Sequence, residues 1–257
     1  DNLIWTPSQS RMVINQRPKA NDGETQIRSR ELVFQQDTEV LEFSGPTQLN
    51  RVDEISSAST VVKGGNGTWN LRSGLLQAPG PVQAIRSDGR TLSASGLDGN
   101  TRQGYLDLQQ PVTLVLESER GRITAGRTRW LFSAEQLESD QPIQAELKNS
   151  KVQGRGFKLD QRTGTVIISN SCRVEQTLET LTAQRCAWNW RSERVVADGD
   201  VVLQRTEPEQ ITRASRMEAK ISEDGAIRFG QAGARVESTI KLSPSAQEKP
   251  RRPQVSF

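Results

Sequence analysis

The chain of 257 residues has no histidine, two cysteines, two methionines and one tyrosine. Without histidine there is no Ser-His-Asp triad, no His-ligated metal, and no side chain that titrates near neutrality unperturbed. Most hydrolase and zinc-enzyme classes are excluded, while carboxylate chemistry stays open. No stretch approaches the ~20 apolar residues of a membrane span, and none has the form of a secretory h-region. The chain opens on Asp1, which reads as a processed or trimmed piece. Apolar residues are scarce too, at 33% with a mean hydropathy of −0.65. Adding the 20 glycines still leaves less than the about 45–50% of an ordinary globular domain. A compact body of this length wants a richer core, whereas a long thin one needs fewer apolar residues per unit length. The 34 Lys+Arg nearly cancel the 31 Asp+Glu. The arginines are scattered rather than clustered, which argues against a nucleic-acid partner.

What the chain does have is punctuation. Turn signals recur at Asp22-Gly23, Asn66-Gly67, Asp88-Gly89, Asp98-Gly99, Thr163-Gly164, Asp198-Gly199 and Asp224-Gly225. Short runs with period-2 alternation lie between them, such as Val40-Leu41-Glu42-Phe43 and Val166-Ile167-Ile168-Ser169. Asp-Gly and Asn-Gly between such runs signal hairpins, and helical periodicity never lasts three turns. The chain is expected to be all-β.

The runs repeat. Taking Ser29, Ala94, Ala125, Gly154, Ala183 and Ala214 as anchors that open a strand, apolar or small residues recur three, five, twelve and twenty positions on. The gap after Ser29 is about two periods, so a degenerate unit with Trp69 and Leu71 is expected inside it. Each unit of about thirty residues suits two strands and their turns. The step to +3 and then +5 breaks alternation once, as a bulge does. Gly45-Pro46, Pro111, Pro142 and Gly199, near +16 and +17, mark a kink. Units stacked side by side would bury one continuous apolar stripe.

The stretches "LTAQRCAWNWRSERVVADGDVVLQR" (Leu181 to Arg205), "ITAGRTRWLFSAEQLESDQPIQAEL" and "IRSRELVFQQDTEVLEFSGPTQL" resemble the repeat of the OstA-like lipopolysaccharide-transport proteins. There a small residue and an aromatic open one strand, and a G-[ND]-V element follows on the next. The resemblance covers about residues 27 to 240. Length and Trp-containing units look most like the LptC branch in its longer cyanobacterial form, with the LptA branch as the close alternative. Gly99 departs from the pattern, standing where an aromatic is expected. The resemblance implies an elongated, twisted, open β-jellyroll, a V-shaped pair of antiparallel sheets built from the ~30-residue two-strand units. It implies a single such domain over residues 1–242, lipopolysaccharide acyl chains sliding along an apolar groove, and no catalysis or cofactor. It further implies a periplasmic location, with anchorage to the inner membrane through a segment absent from this chain. The implied partners are lipopolysaccharide, other bridge proteins joined by end-to-end strand pairing, and an inner-membrane ABC transporter complex; homo-oligomers are compatible with the same pairing. The last residues, 243–257, carry prolines and basic residues and read as a disordered tail.

The inward positions nominate Leu32, Phe34, Phe43, Trp130, Phe132, Phe157, Leu159, Ile168, Trp188, Trp190 and Met217 as groove residues, with ordinary sandwich core as the competing role for each. Cys172 and Cys186 are 14 apart, a spacing of neither a CxxC motif nor a zinc cluster. The repeat sets both inward, on neighbouring strands of a hairpin that turns at Glu179-Thr180. They are either small core residues or one disulfide, and the disulfide is the expectation. Arg127, Arg129, Arg185 and Arg191 are outer-face residues or phosphate contacts at a groove rim. Asp198 and Asp200 could form a glycosidase dyad, but a turn explains them better. Asn66-Gly67-Thr68 matches a glycosylation sequon that the turn also explains. A lipid-transfer scaffold therefore leads. A structural, self-assembling β-protein or adhesin without cargo comes second and a carbohydrate-active β-solenoid third, since hairpin turns favour antiparallel strands.

Overall fold

A computed structural model describes residues 2–22, 25–52, 59–116, 121–147, 150–207, 209–220, 227–230 and 235–240. Among them there is no α-helix, and two single 3-10 turns, Pro7–Gln9 and Phe132–Ala134, interrupt a succession of strands. In chain order these are β1 (Asn2–Thr6), β2 (Arg11–Asn15), β3 (Lys19–Asp22), β4 (Thr25–Arg28), β5 (Glu31–Gln35), β6 (Val40–Ser44), β7 (Thr47–Val52), β8 (Ser59–Gly64) and β9 (Gly67–Asn70). There follow β10 (Leu75–Ala78), β11 (Val82–Arg86), β12 (Thr91–Ala94), β13 (Leu97–Asn100), β14 (Tyr105–Leu108), β15 (Val112–Leu116), β16 (Gly121–Ala125), β17 (Thr128–Leu131) and β18 (Gln136–Leu147). The last are β19 (Ser150–Asp160), β20 (Thr165–Glu175), β21 (Glu179–Ala183), β22 (Arg185–Asn189), β23 (Arg194–Thr206), β24 (Glu209–Lys220), β25 (Ile227–Phe229) and β26 (Glu237–Ile240).

All pairings are antiparallel and trace two faces. The first sheet runs β1-β2-β5-β6-β9-β10-β13-β14-β17 and continues through one half each of β18, β19 and β20 to β22, β23, β24 and β25. The second runs β3-β4-β7-β8-β11-β12-β15-β16, then through the other halves of β18, β19 and β20 to β21, β23, β24 and β26. Sixteen strand segments in the first sheet at about 4.8 Å per step make a body roughly 70 Å long. Both sheets belong to one hydrogen-bonded network, because the long strands bend from one into the other.

The bend is the common corner, and the repeat follows from it. In each unit the anchor marks the end of a second-sheet segment, the +3 and +5 residues face inward from the first sheet, the chain turns, +12 and +14 return along the first sheet, and +18 and +20 line the second. The anchors therefore open no strand: Gly64, Ala94, Ala125 and Ala183 close one, Ser29 follows β4, and Gly154 and Ala214 lie inside β19 and β24 where these bend. The break in alternation after them is the corner itself, where small Ser29, Ala94, Ala125 and Ala183 are buried. The kinks at Gly45-Pro46 and Pro111 are the opposite passage between strands, while Pro142 and Gly199 mark register shifts inside β18 and β23. Gly199 takes φ +76°, a left-handed conformation in which a Cβ would also crowd Gln184. The gap after Ser29 holds a complete unit, anchored on Gly64 with buried Trp69 at +5 and Leu76 at +12.

The first-sheet turns form a second regular feature. Asn or Asp occupies +6 in four units, and its side chain caps the turn: Asn70 accepts from Ser73, Asn100 from Arg102 and Gln103, Asp160 from Thr163, Asn189 from Arg191 and Ser192. At every described +10 position the backbone has positive φ, at Glu39, Gly74, Gly104, Glu135, Gly164 and Glu193. The +10 carbonyl of one unit then accepts the +7 N–H of the next, from Glu39–Leu71 to Gly164–Trp190, with distances of 2.9 to 3.1 Å. A ladder of one bond per unit thus runs along the turn row.

Three turn signals lie elsewhere, Asp198-Gly199 being the register shift inside β23 rather than a turn. Asp98-Gly99 falls inside β13, where a Cβ on Gly99 would meet the Tyr105 carbonyl at 2.5 Å, so the glycine permits close strand approach. Asn66-Gly67 is a corner, and Asn66 Oδ1 accepts the Gly45 N–H of the neighbouring corner at 2.8 Å. Asp88-Gly89 and Thr163-Gly164 are hairpin turns as expected. Asp22-Gly23, Asp224-Gly225, the final +12 and +20 positions (Ala226 and Ala234), and the tail 243–257 fall wholly or partly outside the described residues.

Candidate functional site

The interior is filled at one end and hollow towards the other. Around the early units Leu32, Leu41, Phe43, Trp69 and Leu76 are all at most 6% exposed and pack into one cluster. Trp69 Nε1 donates to Thr101 Oγ1 at 3.2 Å, which satisfies its single polar atom. Further along, Ala145, Cys172, Cys186 and Ala219 take comparable inward positions. Small side chains cannot span the about 10 Å between facing sheets. A cavity of about 1120 Å³ remains there.

Its walls are apolar and come from both sheets. The first sheet supplies Trp130, Leu137, Leu159, Val166, Ile168, Trp188, Val195 and Met217; the second supplies Leu92, Leu114, Ile123, Ile143, Val152, Val174, Leu181 and Leu203. Polar lining residues gather at the turn ends of the strands: Arg86, Arg90, Gln161, Gln176, Glu179, Glu193 and Arg205. The cavity therefore has an apolar floor towards the corner and a polar mouth between the two rows of turns. Trp188 and Trp190 meet edge to face, with ring centroids 6.2 Å apart.

Of the nominated residues, Trp130, Leu159, Ile168, Trp188, Trp190 and Met217 line this cavity. Leu32, Phe43 and Phe157 are buried core outside the lining, while Phe34 and Phe132 pack half-buried against the core. The nominated set omitted the second-sheet wall. Its signal was present in the repeat, since Leu114, Ala145, Val174 and Leu203 are the +20 residues, but the aromatics at +5 drew the choice to one face.

Cys172 and Cys186 are joined by a disulfide with Cα atoms 5.9 Å apart. They are not cross-strand partners. Cys172 pairs with Ala183 in the second sheet and Cys186 with Ile168 in the first, so the bridge ties sheet to sheet at the cavity wall. The intervening turn is Gln176–Leu178, closed by the Gln176 N–H on the Glu179 carbonyl at 2.8 Å. Glu179 begins β21 instead of turning, and its side chain pairs with Arg205 across the strands at 2.7 Å.

The charged residues singled out earlier lie on outer surfaces and are paired. Arg127 and Arg129 meet Asp107, and Arg129 also lies over the Tyr105 ring at 4.5 Å. The Arg129 guanidinium holds the Asp107 carboxyl below its usual range. Asp160 is lowered too, chiefly by the Thr163 backbone N–H. Arg191 donates to the Gln161 carbonyl. Asp198 sits between Arg216 and Arg185, and Asp200 accepts from Gln184, so neither carboxylate is held as half of an acid–base pair. Among the described residues no cluster of His, Cys, Asp and Glu could hold a metal, and no helix is long and apolar enough to cross a membrane. No protein-family model matches the chain, and no curated protein is detectably similar to it in sequence.

Proposed function

We propose that the protein is a non-enzymatic carrier that holds the acyl chains of lipopolysaccharide between its sheets and passes them along an envelope bridge between inner and outer membranes. The observation that carries this reading is the apolar cavity of about 1120 Å³ with its polar mouth. It is larger than the roughly 300–1,000 Å³ of ordinary small-molecule pockets, and it suits an amphiphile with tails inside and head group at the rim. The disulfide supports an oxidising compartment, which the periplasm is. Such a carrier acts beside neighbouring bridge components and an inner-membrane ABC transporter. Repeated, partial apolar contacts suit the task, because burying whole chains at ~0.8 kcal/mol per CH₂ would trap the cargo.

A photo-crosslinking residue at Trp130, in the cavity wall, tests the proposal against the same residue at Phe157, in the closed core. Transfer to lipopolysaccharide is expected from position 130 alone. No transfer at 130, together with no binding in solution, rules the carrier out.

A second reading, a self-assembling β-protein without cargo, is favoured by one feature. The end strand β1 pairs on one side with β2 and exposes Leu3, Ile4 and Trp5 by 40 to 55%. Self-association that proceeds without lipid and without a role for the cavity is its mark. A carbohydrate-active β-solenoid ranks below both, since its strands run parallel.

A further inference from the structure

The mouth of the cavity is bridged at one point. Arg86 ends β11 in the second sheet, yet its guanidinium reaches the turn row of the first. Nη1 donates to Gln161 Oε1 at 2.9 Å and Nη2 to Glu135 Oε1 at 3.4 Å. The acceptors lie 75 and 49 residues along the chain and are tied together, because the Gln161 N–H donates to the Glu135 carbonyl at 3.1 Å. Both Arg86 and Gln161 line the cavity, so this bridge spans the opening and not some remote edge.

Two features set it apart from an ordinary stabilising ion pair. First, it is under-satisfied: the buried Arg86 Nε has no hydrogen-bond partner, although the Asp88 carboxylate stands 3.2 Å away, poorly aimed. A buried donor left without an acceptor weakens the closed arrangement. Second, Glu135 holds φ +52° at the +10 position, as Glu39 and Glu193 do in their own units, while Gly74, Gly104 and Gly164 fill it in the others. Glycine takes that conformation without the steric penalty that glutamate incurs. What glutamate adds there is the carboxylate facing Arg86.

We propose that Arg86 is a clasp across the mouth of the cavity, opened by an anionic amphiphile whose head group takes the guanidinium from Glu135 and Gln161. Guanidinium forks match phosphate and carboxylate oxygens better than a lone amide or a 3.4 Å carboxylate contact does. The head group would be held at the rim while the tail enters the apolar space beneath. The inference rests on the cavity accepting amphiphile tails.

The test uses the whole chain and two ligands of equal tail length, dodecyl phosphate and dodecyl maltoside, followed by the fluorescence of the cavity-wall tryptophans. The native protein is expected to bind dodecyl phosphate roughly tenfold more tightly, the scale of one charge-assisted hydrogen bond. Arg86→Gln should erase that preference. Glu135→Gly removes the competing carboxylate while easing the backbone, and should tighten dodecyl phosphate binding about tenfold. A merely structural bridge predicts no such gain. A preference that survives Arg86→Gln, or unchanged or weaker phosphate binding in Glu135→Gly, overturns the clasp. If neither ligand perturbs the native tryptophans, the carrier reading has failed. The clasp is then judged by spin labels at Ser87→Cys and Ser133→Cys, where Arg86→Gln must broaden the distance distribution and an unchanged one rejects it.

Discussion

At the scale of single residues, the disulfide and the outer-face carboxylates carry distinct parts of the stability. Cys172–Cys186 closes a 14-residue separation, and a loop near that size is worth about 3 kcal/mol in the chain-entropy account. The double variant Cys172→Ala/Cys186→Ala should lose about 2–3 kcal/mol in urea unfolding, and reductant should lower the native midpoint but leave the variant unmoved. Asp107 contributes through Arg127 and Arg129, which are about half exposed. Exposed partners limit the pair to about 1 kcal/mol. Its folded pKa is depressed, so the contribution is present above the unfolded value of about 3.9 and is lost as pH falls through the lower folded value. Asp107→Asn should therefore be less stable at pH 7 and show a shallower decline below pH 4; an identical acid profile would refute the linkage.

At the scale of elements, the turn row predicts its own weak points. Asn189 Oδ1 accepts from the Arg191 and Ser192 N–H groups, and its amide donates to Thr163 and Thr165 of the preceding unit. Asn189→Ala leaves those groups to water and should cost about 1–2 kcal/mol, with faster amide exchange at residues 190 to 193 and unchanged exchange in β1 and β2. The thirty-residue period and most inward positions were legible in sequence, because alternation and spacing are local properties. Trp69 was legible as part of a degenerate unit, but Gly64 as its anchor was not, since a glycine gives no apolar signal. Asp98-Gly99 was misread as a turn because the same dipeptide also lets two strands approach closely, and only the Tyr105 carbonyl opposite decides between the two. The cavity was illegible for a different reason. It depends on +5 and +20 residues of different units facing one another across the sheets, a non-local match that no single repeat encodes.

At the scale of the molecule, β1 ends the first sheet among the described residues, with β2 as its one paired neighbour there. β1 leaves backbone groups unpaired on one side, beside exposed Leu3 and Ile4. Leu3→Lys/Ile4→Lys should reduce concentration-dependent end-to-end association in light scattering while leaving the melting temperature nearly unchanged. Association of undiminished extent would move attention to the β25 and β26 end. The reach of Arg86 has a last consequence. β11 continues β10 around the corner, yet at the mouth it meets the turns after β17 and β19, three to five strand steps further on. Floor and mouth are thus displaced by roughly 15–25 Å along the stack, as sheets that twist about 20–25° per strand require. The passage between them is a screw thread. In the proposed carrier, a passenger advancing one unit, two strands in each sheet, would turn by about 40–50°, which a chain of freely rotating methylenes can follow and a rigid planar ring system of the same length cannot.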